Sequence, residues 1–151
     1  MKLLHTSDWH LGRMLYGRSL LPDQEYFIHQ VFLPLLDRDP PDLVLISGDI
    51  YDRQVAPVQA IRLFDQVLSE LHRRKIPLAA VSGNHDGAGR FTLGADMLRE
   101  SGIYFATSPQ DVFSPVKISS EGTEYHLYLL PYCEPVQIRD LLQDDSLRGF
   151  S

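Results

Sequence analysis

Three short apolar runs, each closing on a cluster of polar residues, constrain this chain more than any other feature. Lys2–Thr6 leads into Asp8-Trp9-His10, and Leu43–Ser47 into Gly48-Asp49-Ile50-Tyr51-Asp52. Leu78–Ser82 leads into Gly83-Asn84-His85-Asp86. A run such as Leu43–Ser47, with no polar alternation, is what a strand shows when both of its faces are covered. The segments between the runs have helical spacing, so the first hundred residues read β-α-β-α-β-α. That order predicts an α/β fold with a central, largely parallel sheet flanked by helices. In such sheets ligand sites gather outside the carboxyl ends of the strands. The three polar clusters therefore belong side by side at one edge.

The helical segments carry their own signals. Asp23–Leu36 places Phe27, Val31 and Leu35, with Ile28, Phe32 and Leu36, on one broad face. Pro22 suits its first turn, whereas Pro34 is expected to kink or end it. Val58–Arg74 repeats the pattern through Val58, Ile61, Phe64, Leu68 and Leu71. Arg90–Ser101 is expected to be a third helix, with Gly102 capping its C-terminus. Beyond it, Val116–Ser119 and Glu124–Leu130 flank Glu121-Gly122-Thr123 and read as a β-hairpin that begins a second sheet.

Composition narrows the function classes. Of 151 residues, 44% are hydrophobic and 23% charged, which excludes overall disorder. No apolar run approaches the roughly 18 residues of a membrane span, so no membrane partner is expected. A polar turn follows Met1-Lys2-Leu3-Leu4-His5 almost at once, which does not resemble a signal peptide, and the single Cys133 fits a reducing cytoplasm. The net charge of −6 excludes a broadly basic surface, so any polyanion would have to be held by local arginines or metal ions.

The strand-end residues form a coherent chemical set. Asp8 and His10 are two apart, and a short turn can aim both at one point. Carboxylate oxygen with imidazole nitrogen suits manganese, iron or zinc rather than calcium. Asp49 has two oxygens and could bridge two cations, and Asn84 offers a neutral carbonyl. Gly48 and Gly83 let the backbone turn tightly beneath these groups. His85, next to a candidate ligand, is placed to act on a substrate. Two cations held a few ångströms apart would clamp a phosphate and activate water at neutral pH. A lone Asp-x-His or Gly-Asp is weak evidence. Three such clusters, each after an apolar strand, point to a built site.

This constellation resembles the calcineurin-like metallophosphoesterase superfamily. Leu4-His5-Thr6-Ser7-Asp8-Trp9-His10-Leu11-Gly12, Ser47-Gly48-Asp49-Ile50-Tyr51-Asp52 and Ser82-Gly83-Asn84-His85-Asp86 are similar to the first three motifs of the SbcD family of bacterial exonucleases, which act in double-strand-break repair. Leu130-Pro131-Tyr132 resembles that family's strand-to-loop passage. The resemblance implies metal-dependent phosphodiester hydrolysis at DNA ends, in repair and recombination, with two divalent ions, manganese first among them. It implies Asp8, His10 and Asp49 around one ion, Asp49 and Asn84 around the other, and His85 as the residue assisting the leaving group. It also implies a homodimer and an SMC-like ATPase partner, SbcC. The remaining family ligands are histidines, one alone and two in a Gly-His-x-His run. No such run occurs here, so the chain is expected to correspond to the N-terminal portion of the nuclease domain. Two rival readings are a small-substrate phosphatase or cyclic-nucleotide phosphodiesterase with the same metal core, and a catalytically incomplete dimerisation fragment.

His5, inside the first strand, is expected to be buried and hydrogen-bonded, in the core or behind the ligands. Asp52 and Asp86 follow candidate ligands and are expected to orient histidines or cap helices. His29, His72 and His126 are expected away from the metals, and Cys133 as a buried thiol. Arg13, Arg18, Arg53 and Arg90 lie in or just beyond the motif loops and are candidate contacts for DNA phosphates. Phe64, Leu68, Phe91 and Met97 are core residues that could also face a second copy.

Overall fold

In the computed structural model, residues 1–87, 89, 91–92, 94–144 and 146 are described. The sheet is built from β1 (Leu3–Thr6), β4 (Leu43–Ser47), β5 (Leu78–Val81) and β6 (Ile103–Ala106), in the order β1-β4-β5-β6 and parallel throughout. Between β1 and β4 lie a small hairpin, β2 (Met14–Leu15) and β3 (Arg18–Ser19), and then α1 (Leu21–Phe27) and α2 (Leu33–Arg38). Helix α3 (Val58–Arg73) joins β4 to β5, and α4 (Ala95–Glu100) precedes β6. A 3₁₀ turn (Pro109–Phe113) leads to the hairpin β7 (Val116–Ser120) and β8 (Thr123–Leu127), followed by α5 (Pro135–Leu142). The expected α/β architecture is thus present. No helix among the described residues is long and apolar enough to cross a membrane.

One face of the sheet is buried by the helices. Val44, Ile46, Leu78, Ala80 and Ile103 meet Ile28, Phe32 and Leu36 from the first helical segment and Ala60, Phe64, Val67 and Leu71 from α3. Aromatic contacts lock this layer, with Trp9 edge-on to Phe32 at 5.2 Å and Phe91 stacked on Phe105 at 4.7 Å. The opposite face carries a smaller cluster, in which Val116 and Ile118 of the hairpin cover Leu43 and Ala79.

Several elements differ from the sequence expectation. Pro34 does not end its helix: the chain stays helical to Arg38 by widening into a π turn over Ile28–Phe32, where the Leu33 N–H reaches back to the Ile28 carbonyl. A π turn shifts the hydrogen-bond ladder where the proline has no donor to offer. The buried stripe of α3 runs through Ala60, Leu63, Phe64, Val67 and Leu71, and Val58 at its start is exposed. The third helix begins only at Ala95, because Gly94 sits at φ +70°, outside helical geometry. Gly102 does take the left-handed conformation after it, at φ +79°.

Strand β8 ends at Leu127 rather than Leu130, because the next residues leave the hairpin for the end of β5, where the Tyr132 N–H donates to the Ser82 carbonyl at 2.9 Å. Phe64 and Phe91 are interior, so of the four apolar residues considered for a second copy only Met97 is prominently exposed. The hairpin β2–β3, strand β6 and helix α5 are elements beyond the sequence expectation. The sequence did carry two of their signals: Tyr16-Gly17 at the hairpin turn, and Glu134-Pro135-Val136-Gln137 as a capping box with proline in the first turn.

Candidate metal centre

The parallel register brings the three motif loops to one edge, and backbone hydrogen bonds then join them. The Asp8 N–H donates to the Gly48 carbonyl at 3.1 Å, His10 to Asp49 at 2.9 Å and Leu11 to Ile50 at 2.9 Å. The first loop therefore lies along the second like an irregular continuation of the sheet. Asp8, His10 and Asp49 all have left-handed backbones, at φ +56°, +44° and +52°. Such conformations are costly for residues with a Cβ and persist where surrounding contacts over-determine them.

The third loop is held by contact. A Cβ on Gly83 would stand 2.1 Å from Asp49 Oδ1 and 2.4 Å from the Asp49 backbone nitrogen, so only glycine fits there. Gly48 is needed for both reasons: its φ is +90°, and a Cβ would press on the Gly83 Cα at 3.0 Å. Asp86, buried beneath, accepts from the backbone N–H groups of Ile50 (3.2 Å), Tyr51 (2.9 Å) and Gly83 (2.9 Å). It fastens the second loop to the third.

These constraints converge the side chains. His10 Nε2 is 3.9 Å from Asp8 Oδ1 and 3.8 Å from Asp49 Oδ2, and its other nitrogen, Nδ1, is 3.6 Å from Asp52 Oδ1. Ligand atoms of Asp8, His10 and Asp49 lie within 4.8 Å of one another, and so do those of His10, Asp52 and His85. His10 Nδ1 is buried without a hydrogen-bond partner. A carboxylate facing one imidazole nitrogen while the other meets two more carboxylates is a donor set that fits a divalent cation.

The His85 ring stands edge-on to His10, with centroids 4.9 Å apart. Its Nδ1 is 2.9 Å from the Asp52 carbonyl, which can only accept, so Nδ1 carries a proton and Nε2 is the free position. The His85 backbone N–H donates to Asp49 Oδ1 at 3.1 Å. Asn84 is exposed and, with Asp49, opens onto a groove of about 690 Å³ between the sheet and residues 127–132.

The other expected residues are placed less centrally. His5 is exposed, not buried, with Nε2 2.8 Å from Ser47 Oγ. Strand β1 is at the sheet edge, and its Leu3/His5 face lies past the reach of the covering hairpin. His126 pairs with Glu124 at 2.6 Å on β8. Cys133 is half-buried with Sγ 3.1 Å from the Pro131 carbonyl, and burial pushes its thiol up.

Arg13, Arg18 and Arg53 are all exposed, and Arg53 shares a cleft of about 270 Å³ with Met14 and Ser19 of the small hairpin. Arg90 lies outside the described residues. Sequence reasoning missed Gln24 of α1, whose side chain bonds the first motif loop, and nothing in its spacing marked it.

Carboxylates and imidazoles gathered over the ends of parallel strands are the arrangement of a metal-dependent hydrolase. The calcineurin-like phosphoesterase family profile matches residues 1–147, and the chain belongs to that family.

Proposed function

We propose that the protein is a metal-dependent phosphodiesterase acting on DNA ends, as the nuclease part of an SbcCD-like assembly. The observation that carries the hydrolytic reading is the convergence of Asp8, His10 and Asp49 beside His85. In this reading Asp8, His10 and Asp49 hold one divalent cation, and Asp49 with Asn84 contributes to a second. The cations, manganese first among them, would supply an activated water and neutralise the charge that builds on the phosphoryl oxygens.

The chain's own residues do the rest. Asp52 faces His10 Nδ1 and favours a proton there, leaving Nε2 for the metal side. His85, fixed through Nδ1 by the Asp52 carbonyl, presents Nε2 as the group that protonates or stabilises the departing sugar oxygen.

DNA, rather than a small phosphate ester, is favoured by the exposed Arg53, 3.6 Å from Asp52, and by the exposed Arg13, Arg18 and fully exposed Tyr16 on or next to the small β2–β3 hairpin. Arginine with an aromatic group suits a phosphate chain with stackable bases. The homodimer and the SMC-like ATPase partner belong to the same proposal through the motif resemblance.

The test is manganese-dependent cleavage of linear duplex DNA, with Asp8→Ala as control. Cleavage is expected to be slow, because the chain carries no Gly-His-x-His run to contribute further ligands to a second ion, and absent in the control. Turnover of a phosphomonoester with no cleavage of DNA would assign a small substrate instead. Absence of manganese binding would remove the metal-site reading.

A further inference from the structure

Gln24 reaches from α1 to the first motif loop with every polar atom of its side chain engaged. Its Nε2 donates to the Trp9 carbonyl at 3.0 Å and to the His10 carbonyl at 2.9 Å. Its Oε1 accepts from the Gly12 N–H at 3.0 Å. The Trp9 and His10 carbonyls belong to the two peptide planes that flank His10, and the orientations of those planes define its φ and ψ. His10 sits at φ +44°, which a β-carbon disfavours, so something must hold it there. On the other side, the His10 and Leu11 N–H groups donate to Asp49 and Ile50. The second loop thus secures one side of the His10 backbone and Gln24 the other.

We propose that Gln24 is a positioning residue for the metal centre: it holds the left-handed backbone that turns His10 toward Asp8 and Asp49. This inference rests on the reading of Asp8, His10 and Asp49 as a metal site. Chemistry makes the glutamine specific. One side chain must offer two donors and one acceptor at the same reach. Glutamate keeps the length and the acceptor but loses both donors and sets a carboxylate against two carbonyls. Methionine keeps the shape and loses all three bonds, leaving two carbonyls and one N–H of a half-buried loop without this partner.

The test uses Gln24→Met and Gln24→Glu, with Leu71→Ala as a control. Leu71 is fully buried at the far end of α3, so its truncation destabilises the fold without touching the loop. Two measurements are made. In the metal-free protein, the Cα and Cβ chemical shifts of His10 report its backbone conformation. With manganese alone as probe, calorimetry gives affinity.

Both Gln24 variants are expected to move the His10 shifts away from left-handed values and to weaken manganese binding about 10–100-fold, the range for residues that orient ligands. Leu71→Ala is expected to keep both within about twofold, as distant, independent sites do. Unchanged His10 shifts, or shifted resonances with unchanged affinity, would overturn the proposal. A wild-type chain that binds no manganese would remove the metal-site reading, and the His10 shifts would still decide whether Gln24 holds the loop. Should Gln24→Met fail to fold, Gln24→Glu carries both measurements.

Discussion

The two ends of the central sheet use the same residue types to opposite purposes. At the amino end, before β5, Arg74 forks onto Asp37 at 2.7 and 3.0 Å and also bonds the Glu70 carboxylate. On a smaller scale the Lys2 ammonium pairs with Asp39, while Asp42 accepts from the Lys2 backbone N–H at 2.6 Å and lies 3.9 Å from the N-terminal ammonium. Each carboxylate there has a fixed cation, and the network closes on itself. At the carboxyl end, Asp8, Asp49 and Asp52 surround His10, and the one arginine within ion-pair distance among the described residues is Arg53, 3.6 Å from Asp52. Carboxylates brought together without fixed cations repel one another. The fold keeps them together through backbone geometry, so a closed ion-pair network at one end contrasts with an acidic His/Asp cluster at the other whose donors fit a divalent cation.

The sharpest way to break this contrast is Asp49→Asn. If Asp49 is shared between two cations, manganese-dependent hydrolysis should fall to background and calorimetry should show weaker binding of both ions. A variant with near-normal activity would mean that the carboxyl end does not depend on its uncompensated charge. His85→Ala should act differently, lowering the rate by about 10²–10⁴ while manganese binding stays near normal. Loss of binding together with rate would make His85 a ligand and merge the two imidazoles into one role.

Asp86→Ala tests the scaffold under that end. Three backbone N–H groups of Ile50, Tyr51 and Gly83 would lose their shared acceptor. At about 1 kcal/mol or more for each buried donor left unpaired, urea denaturation should show a loss of about 3 kcal/mol. A loss under about 1 kcal/mol would show that the loops hold without the clamp.

Much of this arrangement was legible because parallel β/α order places strand ends together whatever the details. That rule brings Asp8, His10, Asp49 and His85 to one edge, and their proposed roles come from donor chemistry and the motif resemblance. What escaped the sequence depends on long-range contact. His5 looked interior because strands in such sheets usually are, yet β1 is an edge, and only the packing of β7 and β8 reveals where coverage stops. Pro34 reads in the sequence as a kink or an end, and a π turn five residues long carries the helix past it. The necessity of Gly83 lies not in its φ but in the Asp49 carboxylate, 34 positions earlier, that occupies the place of its Cβ. Gln24 is an ordinary helix residue until its partners 12 to 15 positions away are known.

The smallest effect belongs to the amino end. The Arg74 guanidinium holds the Asp37 carboxyl below its ordinary 3.8, and Arg73, then Arg74, hold that of Glu70 below its ordinary 4.5. Depressed carboxyl values mean that the pairs stabilise the folded state above those ordinary values. That contribution is lost as pH falls through the lowered ones. Arg74→Met should therefore lower the melting temperature by a few degrees at pH 7. Below the ordinary carboxylate range the gap to wild type should narrow, because wild type gives up its pairs while the variant has fewer to lose. High salt should narrow it as well, since Asp37 is largely exposed. Thermal melts from pH 7 down to about pH 3 measure this directly, the span being set by ordinary carboxyl values. A gap that stays constant across that range would show that Arg74 acts through its packing, and the amino end would then owe its stability to shape rather than to closed ion pairs.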